Sequence, residues 1–412
     1  MQLNQLAWRN LLRHKRRTLI TSLSVAFGVL LSVTFTGSGD YSYTNLIDTS
    51  TTMGFGHLTV EPHGYNDTPS LSMRVLQAEA IADQIQAIPN VQATYVRIMG
   101  QAMFAAGAKS VGGMFLGIDP NREKPEHNFF LKTINQGSLF TEIDGRGVVI
   151  GSKMAEKLNL RLGKKLIYTM TDKDGEIISE ISRVKGIFAT GDDTIDSTIV
   201  LLPINRLRTT LRYENDAASL IAVFASDQRD ARHMQQLINR NLQKPELEVM
   251  TWEETQADLA GLIAIDRAGN YLMQFLVGLI IAAGIVNTML MSVLERKREF
   301  GMMMAVGMSP RQVVQMILIE SFWIGITGLI LGIIITSPWY MYMSRYGLDL
   351  SIFIGDDYNA GGVLVDPVLK FRLFKESAFV ILASVFLLAI AAGLYPAWKA
   401  GRIPPVASMR NV

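Results

Sequence analysis

The chain has 412 residues, of which 49% are hydrophobic and only 18% charged, a low charged share for a soluble protein. Its net charge of +2 gives no general basis for binding nucleic acid, and none is expected as a partner. The absence of cysteine excludes disulfides, thiolate catalysis and cysteine-based zinc sites.

Residues 1–17 form a basic leading segment. Within it, residues 3–16 read as an amphipathic helix on the membrane surface, with Leu3, Leu6, Leu11 and Leu12 toward lipid. Thr18–Ser38 follows without a charge and is long enough for a bilayer core, which takes about 20 residues. It is too long for a signal-peptide core and no clear small-x-small cleavage site follows, so it reads as an uncleaved anchor. Three further stretches qualify as spans: Tyr271–Leu294, residues 313–336 and Ser377–Trp398. Pro396 is expected to bend or end the last of these.

Lys and Arg set the orientation. Arg9, Arg13, Lys15, Arg16 and Arg17 precede the first span. Arg296, Lys297, Arg298 and Arg311 lie between the second and third, and Lys399, Arg402 and Arg410 follow the fourth. The segments 1–17, 295–312 and 399–412 are therefore expected in the cytoplasm, with both termini inside. Residues 39–270 and the loop 337–376 are then outside.

The large external segment has the composition of a globular domain. "HLTVE" (57–61), a helical "RVLQAEAIADQIQAI" (74–88) and "VQATYVRI" (91–98) form one strand–helix–strand set. "SLIAVFAS" (219–226), "DQRDARHMQQLINRNL" (227–242) and "LEVM" (247–250) form another, with Asp227 as a candidate N-cap. The stretch between them, about 101–215, is strand-rich. The expected fold is a membrane protein with four transmembrane α-helices plus a large extracytoplasmic α+β domain, made of two βαβ-like halves with an inserted β-rich subdomain. Residues 39–56 and 252–270 read as helical stalks continuing the first two spans.

No phosphate-binding loop is evident. The nearest stretch, "GRGVVIGSKMA", has Gly151, Ser152 and Lys153 in place of Gly–Lys–Ser/Thr and reads as a turn before a helix. His14, His57, His63, His127 and His233 lack metal-ligand spacing, and the acids of "GDDTID" (191–196) read as a solvated loop. Glu320 stands inside a span, where a charge costs about 2.5 kcal/mol or more at the centre. It is either a proton or substrate group, or an interfacial acid paired with a nearby base. Gly28 with Ser32, and Gly328 with Gly332, are small-residue pairs suited to close helix packing.

Three motifs resemble the FtsX-like/MacB permease family of ABC transporters. They are "GSLFTEIDGRGVVIGSKMAEKLNLRLGKKL" (137–166), "ERKREFGMMMAVGMSPRQVVQMILIE" (295–320) and "GLYPAWKAGRIPPVASMR" (393–410). They stand in the family's order, within its pattern of one span, a large external domain and three spans. "GHLTVEPHGYND" (56–67) is most similar to the lipoprotein-releasing LolC/LolE branch.

The resemblance implies a permease subunit of the bacterial inner membrane, without an ATPase site or cofactor of its own. Mg-ATP would be bound by a cytoplasmic ABC ATPase dimer. The other implied partners are a second permease copy or close relative, membrane lipids, a lipoprotein or lipid substrate, and a periplasmic carrier or adaptor. Glu295, Arg296, Lys297, Arg298, Glu299, Phe300, Gly301, Met302, Met303 and Met304 are the expected ATPase-coupling residues. Their charges would supply polar contacts and their thioethers tolerant apolar packing. A lipid-modified substrate would lie between the first two spans. Its candidate lining is Val33, Phe35, Tyr41, Tyr43, Leu46, Leu259, Ile263, Leu272, Phe275 and Leu279. Efflux with a periplasmic adaptor, and signal transmission to an external enzyme, remain alternatives.

Overall fold

A computed structural model describes residues 2–13, 15–350, 359–360, 363–364 and 368–403. His14, residues 351–358, 361–362 and 365–367 of the loop 337–376, and residues 404–412 of the tail with Arg410 lie outside the described residues. The long helices, in chain order, are α1 (Gln2–Arg13), α2 (Lys15–Ser50), α3 (Ala78–Gln86), α4 (Ala231–Leu242), α5 (Ala257–Glu295), α6 (Lys297–Ala305), α7 (Pro310–Arg345) and α8 (Lys375–Gly401). Among the described residues, α2, α5, α7 and α8 are long and apolar enough to cross a membrane. The chain divides into a helical unit (1–42, 265–349 and 368–412) and a β-rich unit (43–264 and 350–367).

The helical unit is held by small residues. A Cβ at Gly328 would overlap Val25, one at Gly332 would press on Val29, and one at Gly28 would overlap Ile281. Removing these side chains lets neighbouring backbones approach within one chain. Ser32 is buried, and the Ser22 and Thr327 hydroxyls share a hydrogen bond of 2.9 Å. Gly332→Leu is expected to cost about 1–3 kcal/mol by overpacking. The unfolding midpoint in detergent reads this, and an unchanged midpoint would contradict it.

Two expectations for this unit need correction. Leu11 does not face lipid: it is buried in the helical core with Val25, Met316 and Ile317. Its helix α1 is fixed on α7, where Trp8 meets Trp323 edge to face and Trp323 Nε1 donates to Asn4 Oδ1 at 2.7 Å. Of the bend or end expected at Pro396, the end is excluded, because α8 continues to Gly401. The proline denies its hydrogen bond only to the Ala392 carbonyl, so one missing rung leaves the rest of the ladder intact.

The β-rich unit has the strands β1 (Leu58–Pro62), β2 (Val91–Ala106), β3 (Lys109–Ile118), β4 (Ile134–Gly137), β5 (Gly147–Gly151), β6 (Lys165–Thr171), β7 (Ile177–Phe188), β8 (Ile199–Pro203), β9 (Leu220–Ala225) and β10 (Leu247–Thr251). The outer four pair antiparallel in the order β10–β1–β9–β2. The two strand–helix–strand sets are the two βαβ-like halves of the expected domain, and they interleave in one sheet as a split βαβ arrangement.

The region between them is a closed barrel. β2 pairs with β3 and β6, β6 with β7, β7 with β5, β5 with β8, and β8 with β3. The ring returns to its starting strand, so it has no open edge. β2 belongs to both parts. Its first residues pair with β9 and its later ones with β3 and β6. One core runs through both parts, from Ile81 and Val223 to Phe104, Leu166 and Tyr168.

Of the acids of 191–196, Asp193 is solvated as expected but Asp192 and Asp196 are buried. Asp192 caps the helix Asp193–Thr198 by accepting from the Thr194 and Ile195 amides. Asp196 is buried and accepts from the Thr190 hydroxyl at 2.7 Å and the Ser152 hydroxyl at 2.8 Å. Asp227 caps the turn Gln228–Asp230 that leads into α4. His57 Nδ1 accepts from the Ala225 amide, and His127 Nδ1 shares a hydrogen bond with the Tyr95 hydroxyl.

Candidate coupling elbow and substrate-facing surface

The segment between α5 and α7 is a capped elbow, and its sequence dictates each turn. Arg296 breaks the helical path at φ −96°, ψ 13° and α6 begins at Lys297. At the far end Gly307 adopts φ +112°, which favours glycine. The Gly307 amide donates to Met304 O at 3.2 Å and the Met308 amide to Met303 O at 3.0 Å. This pair of bonds closes the helix as a Schellman motif. Ser309 and Gln312 then form a capping box, with Pro310 at the first helical position of α7. A stop and a start are thereby written within a few residues.

The elbow has an inner and an outer face. On the inner face Arg296 Nη1 donates to Glu320 Oε1 at 2.9 Å, and both side chains are only 6% exposed. Arg296 Nε donates to Glu299 Oε2 at 3.0 Å, and its guanidinium lies over the Phe300 ring at 5.0 Å. Phe300 is buried against the helical core with Val293, Val313 and Met316. Gly301 is buried, and Met303 and Met304 are half-buried. On the outer face Glu295, Lys297, Arg298, Met302, Ala305 and Val306 are exposed. Val306 is 89% exposed, unusual for a valine beside two membrane-length helices.

The expected coupling set therefore divides. Arg296, Phe300 and Gly301 are interior and present no surface to a partner, because the guanidinium is committed to Glu320 and Glu299. Glu320 takes the role of the paired acid and locks the elbow onto α7. Sequence reading missed Ala305 and Val306. Their signal was the helical spacing from Arg298 through Met302 to Val306, which puts all three on one side of a turn.

The proposed lining of a substrate cavity also divides. In the helical unit Val33 is core, Tyr41 is half-buried, and Phe35, Leu272, Phe275 and Leu279 are exposed. Gln274 Nε2 donates to Thr36 Oγ1 at 2.7 Å, which brings Phe35 and Phe275 to one level. In the β-rich unit Tyr43, Leu259 and Ile263 are core and Leu46 packs against them. Tyr43, Leu46, Leu259, Ile263 and Val33 are thus packing residues rather than lining.

A separate polar cluster sits in 56–67. Glu61 on β1 is fully buried and lies opposite Glu248 on β10. One carboxylate oxygen accepts from the Asn66 amide at 3.0 Å, and the other has no partner. Glu248 accepts from the Gly64 amide and pairs with His63 at 3.0 Å. Burial, then the negative charges of Glu248 and Asp67, push the Glu61 carboxyl up to about 7 despite the amide bond.

The folded chain thus keeps a proton that the unfolded chain releases above the ordinary 4.5. Stability is highest below that value, falls as pH rises toward 7 and levels off beyond. The expected loss is about 3 kcal/mol. Glu61→Gln should flatten this slope in unfolding midpoints at pH 5 and 8; a slope identical in the variant would contradict the assignment.

Four membrane-length helices, a large β-rich domain and a capped elbow between the second and third of those helices are the architecture of a polytopic membrane protein. The comparisons specify its family. Residues 18–241 match the MacB-like periplasmic core domain, and residues 271–405 match the FtsX-like permease C-terminal region. The chain belongs to this family and is an ABC transporter permease of the FtsX/MacB/LolC type, a class whose activity implies an ATPase partner.

A lipoprotein-releasing system transmembrane protein LolC from Xylella fastidiosa is 23% identical, over 97% of this chain and 96% of that protein. A macrolide export ATP-binding/permease protein MacB from Escherichia coli is 26% identical, over 80% of this chain and 51% of that protein. The crystal structure of the periplasmic region of MacB from Actinobacillus actinomycetemcomitans covers 52% of this chain and 98% of that one, at 17% identity and a TM-score of 0.38.

Proposed function

We propose that this chain couples ATP hydrolysis by a separate cytoplasmic ATPase to extraction of a lipoprotein or lipid from the outer face of the bacterial inner membrane. The chain would pair with a second copy or a close relative. The carrying observation is the outer face of the elbow. Arg298, Met302 and Val306 combine charge with open apolar surface where an ordinary loop would need only its basic residues. The Lys and Arg distribution supports a cytoplasmic position for this face and for both termini. Full-length similarity to a lipoprotein-releasing protein supports lipid extraction. So does the apolar stripe Leu272, Phe275 and Leu279 on α5, which stands open to an acyl chain.

Efflux with a periplasmic adaptor is the second reading. It is favoured by the apolar outer face of the barrel, where Met103, Ile177 and Ile181 are exposed. Photo-crosslinking from Phe275 and Leu279 in the assembled transporter separates the two. Lipid extraction predicts adducts with acylated protein or lipid that decrease on adding ATP. Adducts unchanged by ATP, together with an adaptor crosslinked at Ile177, would overturn it in favour of efflux.

A further inference from the structure

The helical unit carries a cleft of about 780 Å³ where α1, α2 and the end of α5 meet. Arg13, Lys15, Arg16 and Arg17 line it, against a single acid, Glu295. Arg17 reaches Glu295 at only 3.6 Å, and Glu295 is 55% exposed, so this pair neutralises little of the charge. Below the cations the lining turns apolar. Ile20 on α2 and Met291 on α5 are more than half exposed. Deeper on α5, Asn287 also faces the cleft; it is an exposed residue, and its side chain has no hydrogen-bond partner among the described residues. Asn287 lies about 12 Å along the helix from Glu295. An unpaired amide at that depth is poorly served by hydrocarbon and well served by a polar headgroup or glycerol ester.

We propose that this cleft is a binding site for an anionic glycerophospholipid. The phosphate sits among Arg13, Lys15, Arg16 and Arg17 in charge-assisted hydrogen bonds, Asn287 donates to the headgroup region, and the acyl chains run along Ile20 and Met291. Orientation by positive charge requires basic residues but no cleft, and a soluble anion would leave the apolar lips without a purpose. A second copy meeting this wall about a two-fold axis would set cations against cations. The site rests on α2 and α5 being membrane spans and not on the substrate proposed above.

Native mass spectrometry of the full chain in neutral detergent, titrated with phosphatidylglycerol and phosphatidylcholine, tests it. Phosphatidylglycerol should be retained about tenfold more strongly. The triple variant Arg13→Gln, Lys15→Gln, Arg16→Gln should lose that preference. Glu295→Gln, which removes the one acid of the lining, should strengthen it, and this arm stands if the triple variant fails to fold. Equal retention of the two lipids, or weaker retention by Glu295→Gln, would overturn the site. Displacement of phosphatidylglycerol by inorganic phosphate alone would assign it to a free anion instead. Loss of a dimer rather than of lipid in the triple variant would assign it to a contact between copies.

Discussion

Arg296→Met is expected to destabilise the helical unit by about 3–5 kcal/mol, the cost of removing one partner from a buried ion pair. The guanidinium is the hub of the elbow. It bonds Glu320 on α7 and Glu299 on α6, and lies over Phe300. Its loss leaves the Glu320 carboxylate without that donor in a site only 6% exposed. Glu320→Met should cost a similar amount for the mirror reason. The double variant should recover most of the loss, because an apolar pair of similar volume carries no desolvation penalty. Unfolding midpoints in detergent for the two single variants and the double close the cycle, with a coupling energy above about 1 kcal/mol expected for groups in contact. Additive effects would mean that the pair does not lock the elbow. Loss of transport in an Arg296 variant is therefore expected from a damaged bundle, whatever the ATPase does.

Val306→Asp and Met302→Asp are expected to leave the bundle intact while weakening association with the ATPase about 30-fold. Both side chains are exposed, so the folded chain should change by no more than about 0.5 kcal/mol. An apolar anchor filling a partner's groove is worth about 2 kcal/mol when truncated, and a new carboxylate there adds desolvation. Arg298→Glu should act through the same face. Co-purification and stimulated ATP hydrolysis measure the effect, beside an unfolding midpoint equal to that of the unsubstituted chain. Full stimulation with all three substitutions would remove the outer face from the coupling path.

The spans were legible in the sequence because about 20 uncharged residues have few other uses. The caps at Gly307, Ser309 and Pro310 follow from local backbone chemistry alone. The closed barrel was not legible, because a two-residue alternation says which face of a strand is buried and nothing about its neighbours. In "ERKRE" every residue is charged, so periodicity had no apolar residue to mark the inner side. The buried partner that turns Arg296 inward is Glu320, in the next long helix of the chain. The glycines of "GLILG" announced close packing, but not that the visitors are Val25 and Val29 of the same chain.

The central claim is that a separate ATPase docks on the outer face of the elbow. Because the chain has no cysteine, Val306→Cys introduces a single thiol for a bifunctional crosslinker in the assembled transporter. The account predicts a crosslink from position 306 to the ATPase subunit that changes in yield with bound nucleotide, and none from Ile177→Cys on the barrel. A position 306 that never crosslinks to the ATPase in an active complex, or an ATPase captured only from Ile177→Cys, would contradict it.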